Sequence, residues 1–123
     1  MALSDEDRRG RDLVVGWMKD LNLDVSIDRI GNVIGIRAGT EPGNPVLTGS
    51  HIDTVATGGR YDGNLGVLAG LEVIETLNDA KLTTRKPLAV GFFTNEDIIC
   101  MEKCNHKWFV NNTFSNIEYF TIN

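Results

Sequence analysis

The chain has 123 residues, 41% of them hydrophobic and 24% charged, with a formal net charge of -5, the balance of one globular domain and not of a fibrous or disordered segment. Acids and bases are mixed along it with no block of Lys or Arg to follow a phosphate backbone, which argues against nucleic acid as a partner. No apolar run approaches the roughly 18 to 20 residues of a bilayer span, and the stretch Met1 to Arg11 is charged where an export signal would be apolar, so no membrane partner and a cytoplasmic location are expected.

Ser4 followed by Asp5, Glu6 and Asp7 predicts a helix start, because a serine side chain accepts from the orphan amides and acids in the first turn suit the helix dipole. The helix is expected to run to about Leu21. Leu13, Val14, Trp17, Met18 and Leu21 recur along one face, which puts Trp17 and Met18 in the core. From Leu23 the period falls to two, with Leu23, Val25 and Ile27 alternating against polar residues, as in a half-exposed strand. Val33, Ile34 and Ile36 suggest its antiparallel partner across a short turn in which Gly31 or Asn32 takes positive φ.

Thr40 to Pro45 reads as a surface turn and Val46 to Ser50 as a buried strand. A helix is predicted from about Asn64 to Asn78, with Leu65, Leu68, Leu71, Ile74 and Leu77 on one side, and a strand from Leu88 to Thr94. Strand, helix and strand in that order form a crossover joining parallel neighbours, so the expected fold class is α/β. After Asp97 the character changes, with asparagines and aromatics and no clear period. Residues 1–97 therefore read as one unit, and 98–123 as a divergent tail, either frameshifted or disordered. The tail holds Cys100, Cys104 and His106, too crowded and too few for a structural zinc site, and the two thiols are expected to be reduced.

In such sheets chemistry collects at the carboxyl ends of parallel strands. One end carries His51 and Asp53, the other Glu96 and Asp97, and Asp62 lies between them in a run containing Gly58, Gly59 and Gly63. His51 offers an imidazole suited to divalent ions, with Asp53 placed to orient a ligand. Asp62 is set to bridge two ions about 3.5 to 4 Å apart. Glu96 fits a general base that takes a proton from water attacking an amide carbon, with Asp97 as a ligand. Singly each has an ordinary reading: a hydrogen-bonded strand-end histidine, a turn aspartate, a solvated acidic pair. Phosphate binding is disfavoured, since the glycine run has neither GxGxxG spacing nor a Gly-Lys-Ser/Thr ending.

The strings Gly49-Ser50-His51-Ile52-Asp53-Thr54, Gly58-Gly59-Arg60-Tyr61-Asp62-Gly63 and Phe93-Thr94-Asn95-Glu96 resemble M20-type metallohydrolases. They are most similar to the hydantoinase/carbamoylase branch, N-carbamoyl-L-amino-acid hydrolases and allantoate amidohydrolases. The resemblance implies an aminopeptidase-like α/β/α sandwich with a mixed, mostly parallel sheet and an inserted dimerisation domain. It also implies two divalent ions (zinc, manganese, cobalt or nickel). On that pattern His51 is the first metal-binding histidine, Asp53 its supporting acid, Asp62 the bridging ligand and Glu96 the catalytic glutamate of an adjacent pair. Asp97 stands where the family places a glutamate ligand.

The expected activity is hydrolysis of a non-peptide C–N amide bond in a small ureido acid, by a protein whose full-length relatives form homodimers. The chain itself reads as an N-terminal piece, inactive alone because later ligands are missing. An M20-type aminopeptidase or dipeptidase piece, and a noncatalytic α/β ion-binding module, are the alternatives.

Overall fold

The structure, a computed structural model, describes residues 2–96 and the two-residue strand Glu118–Tyr119. In chain order these form α1 (Asp5–Asp20), β1 (Asp24–Ile27), β2 (Val33–Arg37), β3 (Val46–His51), α2 (Asn64–Asp79), β4 (Leu88–Phe93) and β5 (Glu118–Tyr119). Asp97, and the tail 98–123 apart from Glu118–Tyr119, lie outside the described residues.

Helix α1 begins as its sequence dictates: the Ser4 hydroxyl accepts the Asp7 N–H at 3.1 Å, and Asp5, Glu6 and Asp7 fill the first turn. Ser4→Ala is expected to lower stability by about 1 kcal/mol, the usual cost of an N-cap. Urea denaturation checks it through the midpoint, with an unchanged m-value. The helix ends at Leu21, and Asn22, at φ +60, turns the chain into β1.

The strands lie in the order β1-β2-β4-β3-β5. β1 pairs with β2, and β2 with β4, in antiparallel register, while β4 and β5 flank β3 in parallel. The β1–β2 turn is closed by Gly31 at φ +92. The parallel neighbours β3 and β4 are adjacent, matched from Val46 opposite Leu88 to His51 opposite Phe93, so their carboxyl ends finish level with each other. That alignment brings distant parts of the sequence to one rim.

Both described helices pack on the same face of the sheet. Val14 and Met18 of α1 join Val67, Leu71 and Ile74 of α2 over Val33, Val90 and Phe92. Ile34, Leu47, Ala89 and Phe93 form a second cluster, from the alternate positions of β2, β3 and β4, as period two requires. A run of side-chain contacts ties the far ends together: Arg37 Nε donates to Asn78 Oδ1 at 2.9 Å, and Asn78 Nδ2 donates to the Leu21 carbonyl at 3.0 Å.

Two expectations about helix faces are corrected. Trp17 is 42% exposed, not a core residue, and Leu13 is exposed as well. The cause is that α1 meets the sheet chiefly over β1 at its edge, so only the narrow stripe of Val14 and Met18 is covered. On α2 the buried stripe is Val67, Gly70, Leu71 and Ile74, while Leu65 and Leu68 face outward. Of the predicted side Leu71 and Ile74 are buried as expected, and Val67 and Gly70 complete the covered stripe in place of Leu65 and Leu68.

An apolar cleft of about 270 Å³ opens beside α2, lined by Val46, Thr48, Gly70, Val73 and Leu88 among others. Val46 and Leu88 are the first residues of their strands. The cleft thus lies at the end of the sheet opposite the predicted site and carries no charged group.

Candidate active site

The site is built around His51, the last residue of β3, which is only 5% exposed. Its Nδ1 lies 3.0 Å from the backbone carbonyl of Asp53. A carbonyl only accepts, so Nδ1 carries the hydrogen, and in the neutral ring the lone pair is left on Nε2. That nitrogen faces the two acids predicted from sequence. Asp62 Oδ1 stands 4.0 Å from it and Glu96 Oε2 3.9 Å.

Asp53 is buried, at 3% exposure, and its position in the sequence predicts that its carboxylate orients the imidazole. Its Oδ1 stands 3.9 Å from Nδ1, beyond hydrogen-bond reach. The orienting contact is instead made by its main-chain oxygen. The outcome for the ring is the same: one tautomer and one direction.

Asp62 and Glu96 reach Nε2 by different routes. Asp62 precedes α2 at the close of the glycine-rich loop, where Asn64 N–H donates to the Asp62 carbonyl at 2.8 Å. The next residue, Gly63, holds φ +71, and a Cβ built there would come within 2.5 Å of Cε1, Nδ1 and the carbonyl oxygen of His51. The loop therefore presses against the imidazole in space that only glycine leaves open. Glu96 comes after β4 through Asn95, whose φ of +59 turns the chain sharply at the strand end.

The Asp62 side chain is 61% exposed and that of Glu96 33%, against 7% for His51. A buried imidazole thus looks out at two acids on an open rim. Each N···O span is too long for a hydrogen bond. Donors about 2.0 to 2.2 Å from a tetrahedral ion stand about 3.3 to 3.6 Å apart, so a shared divalent cation needs each span to close by about 0.3 to 0.7 Å, a shift open to the exposed Asp62 and part-exposed Glu96 side chains. His51 and Asp62 therefore fit as part of such a site. Among the described residues, no group of three His, Cys, Asp or Glu side chains is arranged to hold an ion by itself.

Three features escaped the sequence reading: the closure of Gly63 on His51, the left-handed Asn95, and a hydrogen bond from Thr94 N–H to the buried Asn32 side chain. The glycine run signals a tight loop but not the atom it touches. Asn32 carries only the signal of a turn residue.

The chain is similar to known proteins over most of its length. Peptidase family M28 matches residues 32–113. An N-carbamoyl-L-amino acid amidohydrolase from Geobacillus stearothermophilus is 45% identical over 98 residues, covering 79% of this chain and 24% of that protein. An allantoate deiminase from Arabidopsis thaliana is 36% identical over 101 residues, covering 77% of this chain and 19% of its own. Among solved structures, a hydantoinase/carbamoylase family amidase from Burkholderia ambifaria superposes with a TM-score of 0.75 at 54% identity, over 78% of this chain and 24% of that one. The branch suggested by the motifs is thus the branch of these relatives, and the matching family carries the M28 designation. Spanning about a quarter of the length of its carbamoylase relatives, the chain belongs to Peptidase family M28.

Proposed function

We propose that this chain supplies part of the metal and catalytic site of a hydrolase that cleaves a non-peptide C–N amide bond in N-carbamoyl-L-amino acids or allantoate-like ureido acids. The observation that carries the reading is the convergence of Asp62 and Glu96 on His51 Nε2 at 4.0 and 3.9 Å, with Nδ1 fixed on the Asp53 carbonyl. His51 and Asp62 are the ligands offered by the described residues toward two divalent ions, zinc, manganese, cobalt or nickel. Asp97 is the further ligand and lies outside them. When bound, the cations polarise the scissile carbonyl and make water acidic enough to react near neutral pH.

The chain's own groups then have distinct tasks. Glu96 takes the proton from water as the oxygen bonds to the amide carbon, and returns it to the departing nitrogen as the C–N bond breaks. His51 contributes a lone pair in a fixed direction, because Asp53 holds the other ring nitrogen. The half-open rim lets a small polar substrate approach the acids without unfolding the loop. The names of the relatives favour ureido substrates: carbamoylated amino acids for one, allantoate for another.

Peptide hydrolysis is the second reading, favoured by the peptidase description of the matching family. Grafting residues 2–96 in place of the matching segment of the Geobacillus enzyme tests both. The grafted, metal-loaded enzyme is expected to release ammonia from an N-carbamoyl-L-amino acid at least tenfold faster than it cleaves the corresponding dipeptide, a preference worth about 1.4 kcal/mol in the barrier. A folded graft that turns over only the dipeptide, or neither substrate, refutes the ureido reading.

A further inference from the structure

Behind Glu96 lies a buried asparagine that the proposed chemistry leaves unused. Asn32 is 4% exposed and directly precedes β2, whose first residue Val33 pairs with Phe92 of β4. Its Oδ1 accepts the Thr94 N–H at 2.9 Å, a contact between residues far apart in sequence. Its Nδ2 donates to the Asp28 carboxylate at 2.9 Å. The orientation of the amide is dictated by these partners, since a backbone N–H only donates and an ionised carboxylate only accepts.

The asparagine is itself held. Asp28 Oδ1 accepts the N–H groups of Asn32 at 2.9 Å and Ile30 at 3.0 Å. Arg11 donates to the neighbouring Gly31 carbonyl and lies 5.0 Å over the Phe92 ring. Side chains from α1, the β1–β2 turn and β4 therefore meet at the point where β4 ends. Just beyond stands Asn95 at φ +59, a left-handed conformation that asparagine adopts more readily than other non-glycine residues. Through that kink Glu96 comes to 3.9 Å from His51 Nε2.

We propose that Asn32 is a positioning residue: by holding the Thr94 N–H, its side chain fixes the left-handed turn at Asn95 and so keeps Glu96 against His51. The importance of that contact rests on the reading of Glu96 as the base, but the geometry itself needs neither metal nor substrate.

Nuclear magnetic resonance on the full 123-residue chain tests it. Asn32→Leu is similar in volume and lacks the acceptor. It is expected to speed amide exchange at Thr94 about tenfold, the scale of one lost hydrogen bond. It should also erase the Overhauser contact between the His51 ring and the Glu96 γ-methylene, while the contact between His51 and Gly63 persists. Should that variant fail to fold, Asn32→Ser, whose hydroxyl is too short to reach Thr94, is read the same way. Asp28→Asn combined with Asn32→Asp reverses the polarity of the Asp28–Asn32 bond yet keeps an acceptor for Thr94, and is expected to restore both signals. Retention of the His51–Glu96 contact in Asn32→Leu or Asn32→Ser, or its absence in a folded paired exchange, overturns the proposal. Failure of the unsubstituted chain to bind divalent ions would count against the hydrolase reading alone, because these contacts are measured without metal.

Discussion

His51→Ala is expected to reduce kcat/KM of the grafted amidohydrolase on the order of 10³-fold, the scale of losing a group that acts directly on the reacting centre. The loss should appear mainly in kcat. The imidazole is buried and held in a single direction: Nδ1 is committed to the Asp53 carbonyl, and Nε2 faces both acids. An exposed aspartate such as Asp62 can reorient toward an ion, but nothing else on β3 can replace a nitrogen at that depth. In the 123-residue chain alone, calorimetric titration with zinc or manganese should show weak capture that vanishes in His51→Ala and in Asp62→Ala. Arg85→Ala, on the exposed far side of the fold and paired with Glu41 at 3.9 Å, serves as the control and should bind as before. Normal turnover by a folded His51→Ala graft would remove His51 from the chemistry, and with it the centre on which the hydrolase reading depends.

The residues that meet at His51 were legible in the sequence for a physical reason. Strand ends and glycine-rich loops announce themselves through period and composition, and in an α/β fold their order dictates which ends share a rim. Hence His51, Asp62 and Glu96 could be placed together from the chain's pattern alone. Side-chain packing was less legible. Helical period gives the direction of a buried stripe but not its width, which depends on how far the helix overlaps the sheet; Trp17 and Leu65 are exposed on that account. Nor does period reveal that α1 and α2 share a face. Asp53 illustrates a different limit: its position two residues after His51 points to its carboxylate, yet the contact with the ring is made by a main-chain atom. Asn32 shows the same limit from the other side. Turn propensity explains why an asparagine stands there, and only the register of β2 on β4 reveals that its amide reaches Thr94.

Gly63→Ala tests how tightly the loop is fitted to the imidazole, and a large effect is expected from a single methyl group. At φ +71 an alanine is strained by about 1 to 2 kcal/mol, and its Cβ would lie 2.5 Å from two ring atoms and from the main-chain oxygen of His51. The backbone oxygen belongs to β3, fixed by β4 alongside, so it cannot yield cheaply. The ring can yield only by breaking the 3.0 Å contact with the Asp53 carbonyl. Overpacking of this kind typically adds about 1 to 3 kcal/mol, giving a total loss of about 2 to 5 kcal/mol. With an m-value of about 1 to 3 kcal/mol/M in urea, the denaturation midpoint should fall by about 0.7 M or more. Gly10→Ala, inside α1 where an added Cβ meets nothing within 4 Å, should instead raise stability by about 0.5 to 1 kcal/mol. In the grafted enzyme Gly63→Ala should both lower the folding midpoint and weaken divalent-ion affinity, since whichever group moves, Nε2 no longer faces Asp62. A variant that kept both the midpoint and the affinity of the parent would mean that the loop and the histidine are not in contact, and the arrangement of Asp62 and Glu96 about Nε2 would lose its structural support.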